Sequence, residues 1–165
     1  MKRRGTRDAM RRAVVVPMLG WALTWSLAAG ACVSHPVGPA RSFSKYEGKA
    51  VTTAESALSA VETVRLAADT AAKDHAFGPY VSQLVSEIEG SASGVQGTFE
   101  SIQPPDDQAD QLRDELDQIL SDVVDHISAV RVAVRRGHLL DLDQVAQDLQ
   151  DDSKHLSDFA EEHQK

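Results

Sequence analysis

Cysteine is almost missing from this chain, and the single one, Cys32, sits where a long apolar run gives way to polar residues. One cysteine excludes an intramolecular disulfide framework, a Cys-ligated metal site and a Cys-pair redox motif. Tryptophan is confined to Trp21 and Trp25, and aromatic residues make up 5% of the chain, so little of it offers the rigid anchors that dominate tight interfaces. There is no Gly-rich phosphate loop, no H-E-x-x-H and no G-x-S-x-G. The Glu-x-x-His pairs of di-iron bundles are missing as well. No reaction has a motif to rest on, so neither enzymatic activity nor a cofactor is expected.

Positive charge is scarce beyond the first residues. The opening "MKRRGTRDAMRR" holds six Lys and Arg against Asp8 alone, and an apolar stretch from Ala13 to Ala31 follows. A basic start, an apolar middle and a small-residue end are the parts of a secretory signal peptide, which leaves residues 1–31 outside the fold. A retained membrane helix competes with it, because about nineteen residues at 1.5 Å rise span roughly 28 Å. Pro17 and the glycines weigh against that alternative. Either way, the chain from Cys32 onward is expected outside the cytoplasm.

From Cys32 on, 11 Lys and Arg face 24 Asp and Glu, a net charge of −13. Such a surface argues against nucleic acid as a partner and against adhesion to anionic lipid by charge.

"AAGAC" resembles the lipobox of bacterial lipoproteins, in which small or apolar residues precede a cysteine that is acylated and becomes the mature N-terminus. Ala29 stands where such motifs favour Leu, and Ala29-Gly30-Ala31 also satisfies ordinary signal peptidase, which would give a secreted protein instead. Acylation accounts for an otherwise unpaired thiol. "VSHPVGPARS" then reads as a Pro/Gly tether, so residues 32–43 are expected to be a lipidated N-terminus and linker.

Residues 44–165 carry four segments of helical period and no strand pattern. Helix 1 is expected from Ser44, with Glu47 completing a capping box, to Lys73, along the stripe Ala54, Ala57, Val61, Val64, Ala68, Ala71. Helix 2, Pro79 to Ile102, follows Val81, Leu84 or Val85, Ile88, Ala92, Val95, Phe99 and Ile102. Gly90, Gly94 and Gly97 interrupt it, which suggests close approach of a neighbouring helix or fraying, with a hinge or a backbone-lined ligand surface as the functional alternative. Phe77 and Tyr80 flank the preceding turn and are expected to close the end of a bundle, an exposed sticky tip being the other reading.

Pro104 and Pro105 stop helix 2. Helix 3 begins among Asp106, Asp107 and Asp110 and ends with Arg131, Arg135, Arg136 and Gly137, the order that a helix dipole favours. Its stripe is Ala109, Leu112, Leu116, Ile119, Val123, Ile127, Val130, Val134. Helix 4, Leu139 to Glu162, presents Leu142, Val145, Leu149, Leu156 and Phe159, with Asp152 or Ser153 on the apolar seam between Leu149 and Leu156. "VRLA" at Val64 and "VRVA" at Val130 suggest a duplicated helical hairpin. Four amphipathic helices with short connections predict an all-α, up-down-up-down four-helix bundle.

Chemistry has few places to sit. Asp122 and His126 lie four apart, as do Asp151 and His155, and Asp152 and His163 add further ligand-type groups. These six residues define the alternative function, a module that binds a cation such as Zn²⁺ or Cu²⁺, or a small ligand, through helices 3 and 4. Arg65 is expected either to pair with an acid of a neighbouring helix or to reach out to water.

With its export signal, "AAGAC" and a helical pattern that includes "FESIQPPDDQADQLR", the chain is similar to small Ala- and Asp-rich helical lipoproteins of actinobacterial envelopes. The resemblance implies a lipid anchor at Cys32 on the outer face of the cytoplasmic membrane and an envelope protein as partner. It implies no reaction.

Overall fold

The computed structural model describes residues 38–73, 78–137 and 142–164. The expected signal peptide, Cys32 and Phe77 lie outside the described residues, as does the expected start of helix 4 at Leu139. Four helices account for nearly all of the rest: α1 (Phe43–Ala72), α2 (Gly78–Glu100), α3 (Asp107–Arg136) and α4 (Leu142–His163). Among the described residues there is no strand, and no helix is long and apolar enough to cross a membrane. The fold is the all-α four-helix bundle that the periodicity predicts.

Each helix packs on the next, and α4 returns to α1, closing the bundle. The cross-section is not square. α1 and α3 meet across one diagonal, whereas α2 and α4 scarcely touch. The reason lies in α1, whose buried face is mostly alanine: Ala50, Ala54, Ala57, Ala67, Ala68 and Ala71, with Tyr46 and three valines between them. Side chains that stop at Cβ let the backbone of α1 approach the larger residues of α3, among them Leu112, Leu116, Leu120 and Ile127.

The ends of α3 behave as their sequence predicts. Asp106, in extended conformation, accepts a hydrogen bond from the Ala109 amide at 2.9 Å, and Gly137 closes the helix at φ 70°. The start of α1 does not follow its prediction. Ser42, not Ser44, is the N-cap; its carbonyl accepts from Lys45 N at 3.1 Å and Tyr46 N at 3.0 Å, and its side chain makes no capping bond. No capping box forms, because Glu47 turns towards His163 of α4. Ala40 is buried in the core, so the tether ends sooner than expected.

Two stripes need correction. Leu120 is the buried residue of its turn and Ile119 is only half-buried, so the seam of α3 runs 112, 116, 120, 123, 127. In α2, Val85 is the core residue, while Leu84, Ile88 and Val95 sit at its margin. The two "VR" segments lie alike, with Val64 and Val130 fully buried and their arginines at the rim.

The glycines of α2 do not serve close packing. A Cβ placed on Gly90, Gly94 or Gly97 would meet nothing within 4 Å, all three positions are exposed, and α2 runs through them without a break. Replacing each by Ala is therefore expected to stabilise the bundle by about 0.5–1 kcal/mol, through lower unfolded-chain entropy and better helix propensity. Urea denaturation checks this. Destabilisation at any of the three would mean that this face is in contact in the folded protein.

Candidate functional site

Asp152 is the buried polar residue of the described core, at 3% exposure. Its position follows from the seam of α4: between Leu149 and Leu156, steps of three and four put residue 152 on the inward side and Ser153 at the margin. The carboxylate is not stranded. His126 of α3 meets it across the interface, with Nδ1 at 2.8 Å from Oδ2.

Burial raises the pKa of the Asp152 carboxyl, and the hydrogen bond and charge of His126 offset this only in part. For His126, burial would lower the pKa. The hydrogen bond to Asp152 and the carboxylates of Asp152, Asp148 and Asp122 outweigh that, and its pKa is raised.

The other sequence candidates are spread out. Asp122, Asp151 and His155 are exposed, the first near enough to act on both members of the couple. His163 lies at the far end of α4, where its ring is tilted against Phe159 with centroids 4.7 Å apart and Nδ1 stands 3.3 Å from Glu47 of α1. Among the described residues, no three His, Cys, Asp or Glu side chains are grouped as a metal ion would need. His126 and Asp152 thus form a hydrogen-bonded couple.

Other polar links fasten the helices together. Ser153, beside Asp152, donates to Glu62 of α1 at 2.6 Å, and this bond, with Arg65, holds the Glu62 carboxyl below its ordinary pKa. Arg65 pairs with Glu62 of its own helix at 2.8 Å, not with a neighbouring one. Arg131 does reach across, bonding Glu89 of α2. Arg135 and Arg136 join it along an open groove of about 700 Å³ between the start of α2 and the end of α3, which Ser82 and Ser86 also line. Tyr80 does not close the bundle; it is 65% exposed.

The core also holds a phenol that the expected stripe of helix 1 does not include. Tyr46 packs against Phe99 with ring centroids 5.5 Å apart, and its hydroxyl is buried without a hydrogen-bond partner. Burial pushes its pKa up to about 12, with Arg113 opposing and Asp117, Asp110 and Asp114 adding to the rise. A phenol so hard to ionise is a packing group, not a proton acceptor near neutral pH. The signal was available in the sequence: steps of four back from Ala54 reach Ala50 and then Tyr46. A cap at Ser44 would end the stripe before Tyr46 is placed on it.

No protein-family model, curated protein or solved structure matches this chain.

Proposed function

We propose that this protein is a non-enzymatic lipoprotein of the cell envelope, anchored through Cys32 on the outer face of the cytoplasmic membrane, where its helical bundle serves as an interaction or accessory module for another envelope protein. The observation that carries this reading is the lone cysteine. It follows a basic, then apolar, then small-residue start and precedes a Pro/Gly-containing linker. Acylation gives that thiol a role which a cysteine-free bundle does not. Two or more acyl chains, at about 0.8 kcal/mol per buried CH₂, hold a protein on a membrane stably. The acidic surface agrees with anchoring by lipid instead of by charge.

The test is Cys32→Ser in a bacterial host that processes lipoproteins, read by palmitate labelling and membrane fractionation. The native chain is expected to label and to sediment with membranes. The variant is expected to be unlabelled and largely released. Tight membrane association of the variant would overturn the lipid anchor in favour of a retained helix.

A further inference from the structure

Among the described residues of α4, the buried ones are apolar, Leu149, Leu156, Phe159 and Ala160, except Asp152, which meets His126 of α3. In this couple Nδ1 belongs to a side chain that is 35% exposed, and Oδ2 to one whose side chain is only 5% exposed. Solvent protons therefore reach one partner while the other is held in the core. We propose that this couple is a pH-sensitive latch between α3 and α4, which clamps α4 while the imidazole is protonated and slackens it when the proton leaves.

The chemistry follows from the two ring nitrogens. Protonated His126 donates from Nδ1 as an imidazolium, a charge-assisted hydrogen bond about twice as strong as a neutral one. When the proton leaves Nε2, the Nδ1–H bond to Oδ2 keeps its geometry but the ring's positive charge is gone, so the ion pair is lost while the hydrogen bond to the carboxylate remains. Asp152 is then a buried carboxylate without a cation on it.

The surroundings sharpen the response. On α3, Asp122 faces both members of the couple; on α4, Asp148 faces His126 and His155 faces Asp152. On the α1 side, Glu62 and Arg65 neutralise one another, and Glu62 holds Ser153. α2 scarcely meets α4 and brings no charge to the couple. Once His126 is neutral, the carboxylates of Asp122 and Asp148 no longer face an opposite charge there.

The direction follows from the carboxylate 2.8 Å from Nδ1, which favours the charged imidazole, and the raised pKa of His126 in the folded protein agrees with it. Its contribution is fully present below the unfolded value of about 6.5 and is lost as pH rises through the folded one. Asp152, whose folded pKa is also raised, works in the same sense at lower pH: the folded state holds its proton longer, so stability falls as that proton leaves. The latch stands whether or not Cys32 carries lipid.

Hydrogen exchange by mass spectrometry on the full-length chain in detergent micelles tests it, with protection corrected for intrinsic exchange at each pH. Between about pH 5.5 and 8.5, which brackets histidine titration, protection of α4 relative to α2 is expected to fall about fivefold. His126→Gln and Asp152→Asn, which keep shape and hydrogen-bonding capacity, are expected to flatten that response. His163→Gln, at the far end of α4, is expected to leave it in place. A fall of equal size in His126→Gln, or none in the native chain, would overturn the latch. Should the variants unfold, an NMR titration of His126 in the native chain decides instead: a midpoint above that of free imidazole supports the latch, and one at or below it refutes it.

Discussion

Phe99→Ala is expected to destabilise the bundle by about 3–5 kcal/mol, which for a domain of this size is a large part of the total. Phe99 is 1% exposed, and it carries the end of α2 into the core against Tyr46. Removing its ring takes away buried apolar area, leaves a cavity, and breaks an aromatic pair worth about 0.5–1.5 kcal/mol beyond that area. The loss spreads to Tyr46, whose hydroxyl already lacks a partner and whose ring would lose its cover. Chemical denaturation followed by circular dichroism measures the effect. Tyr80→Ala is the comparison, since an exposed aromatic of the same helix should change stability by no more than about 0.5 kcal/mol. A loss below 1 kcal/mol for Phe99→Ala would contradict the docking of α2 on α1 at this end.

The helical architecture was legible in the sequence because its signal is redundant. The seam of α3 has eight buried residues at steps of three and four, from Ala109 to Ala133, with Val134 beside the last, so Ile119 in place of Leu120 leaves the face correct. Punctuation was legible where it is chemically strict: Asp106 and Gly137 occupy the cap positions that their side chains and φ preferences demand. It misleads at Ser44, where Glu47 three residues on completes the capping-box pattern, whereas the residue that caps the helix is Ser42, which has Lys45 at that spacing. The helix started earlier, and burial of Ala40 and Tyr46 accompanies that start.

The couple at the α3–α4 seam was half legible. Period alone marked residue 152 or 153 as an inward polar position. What the sequence did not carry is the partner, because His126 is 26 residues away and the choice among nearby acids and histidines is made by packing. Asp151 and His155 share the same helical spacing as Asp122 and His126, yet both are exposed. The glycines of α2 misled for the opposite reason. A small residue in a helix is compatible with close packing or with open space, and only the surroundings tell these apart.

Ala54→Leu tests the cross-section directly and is expected to destabilise by about 1–3 kcal/mol, although Leu is hydrophobic and nearly as good a helix former as Ala. Ala54 is fully buried in the middle of the alanine face of α1, the helix that touches all three others. An isobutyl group there must either push α1 away from α3 or force neighbouring side chains off their rotamers. Ser59→Leu adds its bulk on the exposed side of the same helix and should leave stability within about 0.5 kcal/mol. Thermal melting of the two variants separates bulk as such from bulk on the α1–α3 diagonal. If Ala54→Leu were neutral or stabilising, the diagonal would hold unused space, and alanine there would not be what brings the two helices together. If it destabilises as expected, the alanine content of α1 has a structural cause, which limits how far that face of the bundle can vary. Variation is then left to the exposed surfaces of the helices.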